Sequence, residues 1–248
     1  MNATFVGIEI KRIVRNVPAL FFTAVLPAFM YIVFGATQSY KDEKVGNGNV
    51  AMYIMISMAV YGAVSATTSI GGMAAVERMQ GWGRQLGLTP LRDSSYVGMK
   101  ALVAITIALI PIAIIYAIGA FTGAEGSASA WLLSALLCIV GAGIFALFGL
   151  AIGAGFRSET AVSAAGGSLV ILAFLGNVFL PLTGAMLAFA KFTPLYGVAA
   201  LARYPVTEGY LTNGDRDPLW AILLNVGVWT LIFAALATVL VRKGRGRQ

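Results

Sequence analysis

The chain has 248 residues, 59% of them hydrophobic and only 11% charged, whereas soluble domains carry about 25% charged residues; an ordinary water-soluble fold is excluded and a membrane protein indicated. The net charge of +7 comes from basic residues in short groups beside apolar runs, a distribution that sets membrane topology and offers no continuous basic face to nucleic acid. One cysteine and no histidine exclude a disulfide framework and the usual zinc and copper sites.

The first segment, TFVGIEIKRIVRN, mixes apolar with basic positions. It reads as an interfacial helix over residues 1–16 lying along the inner leaflet, or as a basic tail that only orients the chain. A signal peptide is disfavoured by Glu9, by the length of the following apolar run and by the lack of a small-residue cleavage site. A bilayer core about 30 Å thick needs roughly 20 apolar residues of helix. Windows meeting that demand lie at 18–37, 51–75, 97–119, 131–154, 161–180 and 219–241. They are too long and too continuously apolar for barrel strands, so the predicted fold is all-α with six transmembrane helices.

In the second window Met52, Met55 and Met58 recur every third residue, which suits core packing or a flexible apolar ligand surface. The fourth, GAGIFALFGLAIGAG, holds a G-x-x-x-G at Gly149 and Gly153, and Ala164-Ala165-Gly166-Gly167-Ser168 follows in the fifth. Such small residues allow close helix packing in lipid, within one chain or across a dimer seam. Phe174, Asn177, Val178 and Pro181 share one helical face. Two roles fit Asn177, a substrate contact and an interhelical hydrogen bond. In 181–217 the apolar LTGAMLAFA is half a membrane long, between Pro181 and the Lys191/Pro194 pair, and reads as re-entrant or interfacial.

Charge counting orients the chain. With the N-terminus cytoplasmic, the inside segments hold Lys11, Arg12, Arg15, Arg78, Arg84, Arg92, Lys100, Arg157, Arg242, Lys243, Arg245 and Arg247, which is 12 of the 17 Lys and Arg; the outside ones hold Lys41, Lys44, Lys191, Arg203 and Arg216, which is 5. Both termini are therefore expected inside, and 181–217 becomes an extracellular cap containing a re-entrant hairpin between spans five and six.

The cytoplasmic loop between spans two and three has good helix formers interrupted by Gly81, Gly83 and Gly87, with Pro90 as a stop. Its glycines permit close backbone approach, and Trp82 offers an anchor of the kind found at binding hot spots. The alternative is a solvated loop that holds positive charge inside. The spacing Glu77-Arg78-x-x-Gly81-x-x-x-x-Leu86-x-x-Thr89-Pro90-Leu91 resembles the signature of ABC-2 type permeases, the membrane subunits of ABC exporters of the daunorubicin-resistance type. The likeness extends over nearly the whole chain, taken as a single transmembrane domain over 1–248. Trp82 stands where many members have a small or polar residue.

The resemblance implies that 76–92 is a coupling helix, with Glu77, Arg78, Gly81, Trp82, Leu86, Thr89 and Pro90 meeting the groove of an ATPase. This chain has no G-x-x-x-x-G-K-[ST] loop, so the ATPase is expected as a separate subunit in two copies, binding ATP and magnesium; no cofactor is expected here. A second permease copy or a homologue would complete a transporter in the plasma membrane. By the same resemblance spans two and five face the dimer axis, which makes Met55, Met58, Phe174, Asn177 and Val178 the candidate substrate path. The implied function is ATP-driven export of a drug-like or lipid-like amphiphile, the alternative a glycolipid or polysaccharide. A secondary transporter is disfavoured because no window carries a charge near its centre. Catalytic residues are not expected, since there is no histidine base, no G-x-S-x-G and no paired buried carboxylates.

Overall fold

The computed structural model describes residues 3–77, 93–156, 158–211 and 214–245. Helix α1 (Ala3–Val14) is amphipathic. Its Val6, Ile10 and Ile13 pack on Ala66 and Ile70 of α3 (Val50–Glu77) and on Val103, Ala104 and Ile107 of α4 (Asp93–Thr122), while Ile8 and Val14 stay exposed. Helix α2 spans Val17–Ala36 with Asn16 capping its start. α5 covers Ala128–Phe156, α6 Glu159–Leu175, α7 Gly184–Ala190, α8 Pro194–Thr207 and α9 Leu219–Arg245.

Among the described residues five helices are long and apolar enough to cross a membrane, or six if α7 and α8, bent by 92°, form one broken span. The chain is a multi-pass membrane protein. The window expected at 161–180 holds α6, which stops at Leu175 after 17 residues, about 25 Å. Gly176 closes its last turn on Leu172 O, and Asn177 follows with φ 57°, a left-handed conformation that no helix continues through. The apolar run outlasts the helix.

Helix α3 is the centre of the bundle. Within its most apolar window 83% of residues are buried, against 22% for α2 and 17% for α9; the outer helices keep apolar faces free for lipid. Lipid tails are as apolar as leucine, so close van der Waals approach and interhelical hydrogen bonds must hold such a bundle together. Backbone contact supplies that approach where α3 crosses α5. A Cβ on Gly149 would strike the Thr68 carbonyl, one on Gly153 the Gly72 carbonyl, and one on Gly71 the Ala146 carbonyl. Thr68 Oγ1 donates to Phe145 O at 3.3 Å in the same seam. The G-x-x-x-G thus packs within one chain, whereas Gly166 and Gly167 of α6 have open space around them.

A second crossing gathers two prolines. Pro27 has no N–H to give Thr23 O, and that carbonyl lies against Gly62 of α3, where Pro111 of α4 also arrives. At the end of the bundle away from Glu77, a feature absent from the sequence reading appears: a small hairpin of β1 (Lys44–Val45) and β2 (Gly48–Asn49). Buried Asn49 caps α3 by accepting from Met52 N at 2.9 Å, accepts from Glu125 N at 3.0 Å and donates to Gly123 O at 2.7 Å.

Both termini lie at the Glu77 end, since α1 packs there and Leu240 of α9 adjoins Gly155 at the end of α5. Replacing Gly153 with valine should destabilise the protein by about 1–3 kcal/mol through overpacking. Gly166→Ala, with space for a methyl and better helix propensity, should leave stability equal or higher. Thermal unfolding of the purified variants in one detergent checks both.

Candidate functional site

Four ionisable side chains from three helices meet where α3 ends. Lys100 Nζ donates to Glu9 Oε2 and to Glu77 Oε2, each at 2.7 Å. Arg12 Nη2 donates to Glu77 Oε1 at 2.5 Å and lies 3.5 Å from Glu9 Oε2. The side chains of Glu9, Lys100 and Glu77 are 8%, 9% and 14% exposed, whereas that of Arg12 is 52% exposed. Buried charges persist only when paired and hydrogen-bonded, and here two carboxylates meet two cations. Helical spacing explains the convergence: Glu9 shares a face with Val6, Ile10 and Ile13, so packing that apolar stripe on α3 and α4 carries its carboxylate inward to Lys100.

At the far end Arg203 of α8 is 2% exposed. Its Nη1 donates to Asn177 O at 2.8 Å and to Ser57 Oγ at 3.2 Å, and its guanidinium lies 4.5 Å from the centre of the Tyr53 ring. One side chain thereby ties α8 to α3 and to the turn after α6. Nearby, Lys191 pairs with Asp217 at 2.7 Å and Tyr196 donates to the same carboxylate. Asn225 of α9 donates to Lys191 O and Thr193 O, closing the bend between α7 and α8.

The whole of this framework has a counterpart among known proteins. Residues 3–201 match the ABC-2 type transporter family. This chain belongs to the ABC-2 type transporter family. It is also 26% identical, over 242 residues covering 95% of this chain and 94% of the relative, to the protein named "Putative transport permease YvfS" of Bacillus subtilis (strain 168). Membership implies a transport permease that works with an ATPase subunit.

Of the ABC-2 signature positions, Glu77 is described and faces inward to Lys100 and Arg12; Arg78, Gly81, Trp82, Leu86, Thr89 and Pro90 lie outside the described residues. The substrate-path candidates are dispersed. Met55 and Met58 are fully buried in the core, and a Cβ on Gly119 would strike the Met55 sulfur, so that thioether fills a space left by a glycine. Val178 is buried, and Phe174 is half-exposed with its ring 5.0 Å from that of Phe179. Asn177 lies beyond α6, and its side chain accepts from Leu182 N at 2.8 Å, shaping the turn.

Glu9, Arg12 and Lys100 are functional candidates that the sequence reading missed as a group, because 91 residues separate the ends of the Lys100–Glu9 pair. The available signal was an acidic residue in an otherwise basic amphipathic segment. Lys100→Met leaves two buried carboxylates with one half-exposed cation and should cost about 3–5 kcal/mol, while Arg12→Met should cost no more than about 1 kcal/mol. Glu9→Gln and Glu77→Gln added to Lys100→Met should recover much of the loss. Unfolding by dodecyl sulfate titration of each variant checks this ordering.

Proposed function

We propose that this ABC-2 permease is the membrane subunit of an ATP-driven exporter of amphipathic or hydrophobic compounds, assembled as two permease copies with two ATPase subunits in the plasma membrane. In this reading both termini and residues 76–92 are cytoplasmic. The segment beginning at Glu77 is the coupling helix, ATP and magnesium belong to the partner, and residues 181–217 form an external cap with a re-entrant portion. The observation that carries it is the ion cluster: the first residue of the signature is held by Lys100 of α4 and Arg12 of α1. A push delivered to that segment would reach three helices at once. The 92° bend between α7 and α8 and the 17-residue α6 support the re-entrant cap, since non-helical backbone at membrane depth persists only where protein covers it.

Export should be measured in vesicles containing the chain and its ATPase, with an amphiphilic dye as cargo and ATP added on the ATPase side. ATP-dependent accumulation supports the reading; accumulation driven by a proton gradient without ATP overturns it. Trp82→Ala should weaken ATPase association by roughly thirtyfold, the effect of about 2 kcal/mol at a hot-spot aromatic, with permease abundance unchanged. Transport indifferent to Trp82→Ala and to a bulky residue at Gly81 would return the segment to a solvated loop.

Orientation is tested by single cysteines in a Cys138→Ser background, treated on intact cells with an impermeant thiol reagent. Position 213 should label and position 84 should not. The reverse pattern overturns the cytoplasmic assignment.

A further inference from the structure

A cavity of about 380 Å³ opens beside the ion cluster, between α1, the α1–α2 junction, α3 and the start of α6. Its size falls in the range of small-molecule sites, about 300–1,000 Å³. The lining is two-faced. Ile13, Ala19, Ile70 and Met73 make one wall apolar, and the Glu9–Lys100–Glu77–Arg12 cluster forms another. Such a lining suits a molecule with an apolar body and a polar head.

The head's charge follows from which groups are already satisfied. Inside the cluster two carboxylates and two cations balance, and both carboxylates are bonded. Glu159 adds a third carboxylate to the lining, and among the described residues it has no ion-pair partner. The Ser69 hydroxyl also lines the cavity and makes no hydrogen bond among the described residues. The Asn16 side-chain oxygen, at the mouth, accepts from Ala19 N and has a lone pair left. Three oxygen acceptors, one of them anionic, match the three N–H donors of a primary ammonium group. An anionic head would instead meet Glu159, with the cluster's cations already taken.

We propose that this cavity is a binding site for a primary-ammonium amphiphile, held by Glu159 and Ser69 with its apolar body against Ile70 and Met73. Its assignment as cargo rests on the export reading above; the site itself does not. The same head chemistry is offered by an aminolipid of the bilayer and by a transported amine.

The test uses the complete permease–ATPase complex in nanodiscs of phosphatidylcholine, without nucleotide. The probe is a dodecylammonium carrying a diazirine on its chain, compared with the dodecyl sulfate analogue. Photolysis followed by peptide mass mapping should place the ammonium label on residues 9–19 and 69–77. The sulfate should label there at least about fivefold less, and Glu159→Gln should lower ammonium labelling by about fivefold, the upper end for an exposed ion pair. Ser69→Leu, which fills the cavity, should abolish the label while elution volume and ATPase association stay unchanged.

Equal labelling by the two heads, or no effect of Glu159→Gln, overturns the site whatever happens to Ser69→Leu. Exchanging part of the phosphatidylcholine for phosphatidylethanolamine separates the sources: loss of label identifies the aminolipid and retention identifies the free amine, and both results uphold an ammonium site. A complex that labels as expected but never exports would defeat the transport reading and leave the site standing.

Discussion

The fold rests on how closely α3 and α5 approach. In water a helix pair gains by burying apolar surface, but in a bilayer that gain vanishes and contact must come from shape and polar bonds. Gly71, Gly72, Gly149 and Gly153 remove the side chains that would hold the two backbones apart, and Thr68 adds a hydrogen bond across the seam. With α3 seated on α5, the other helices arrange themselves around it. Pro27 and Pro111 then meet α3 at Gly62, where no side chain stands in the way. The helix with the greatest buried share thus touches every neighbour that could displace it.

Two polar nodes mark the ends of α3, and they differ in kind. At Glu77 the charges are matched, two against two, so each partner's desolvation is offset by its neighbours. At Ser57 and Tyr53 a buried arginine is held by neutral oxygens and an aromatic face. Ionisable residues inside a membrane protein mark working positions by default. The matched node belongs to the end that family membership connects with an ATPase, and the arginine node to the end where α8 bends.

Much of this was legible in the residues. The apolar windows translated into helices because length and continuity decide a span, and the G-x-x-x-G at Gly149 met the small residues of α3 as its chemistry allows. The end of α6 was not legible: Gly176 and Asn177 interrupt an apolar run whose hydrophobicity continues to Leu180, so composition kept signalling a span after the backbone had turned. The hairpin at 44–49 hid in a polar stretch, although Gly46, Asn47 and Gly48 are turn residues. The ion cluster could not be read at all as a cluster, because nothing local in the sequence links Glu9 to Lys100. Arg203 and Lys191 counted only as topology signals in the sequence, and each proved to have a specific partner set.

The central position of α3 also bears on biogenesis. A chain made from its N-terminus places α3 in the bilayer before α5 and α8 exist, so for a time its polar side chains face lipid alone. Ser57 and Thr67 are prepared for this: their hydroxyls donate to Tyr53 O at 2.9 Å and Ala63 O at 3.1 Å within the same helix. Thr68 turns instead to a carbonyl that α5 brings later, and Ser57 accepts from Arg203 later still. The helix enters nearly self-sufficient in hydrogen bonds, and the order in which its remaining partners arrive is written into which hydroxyls wait for them.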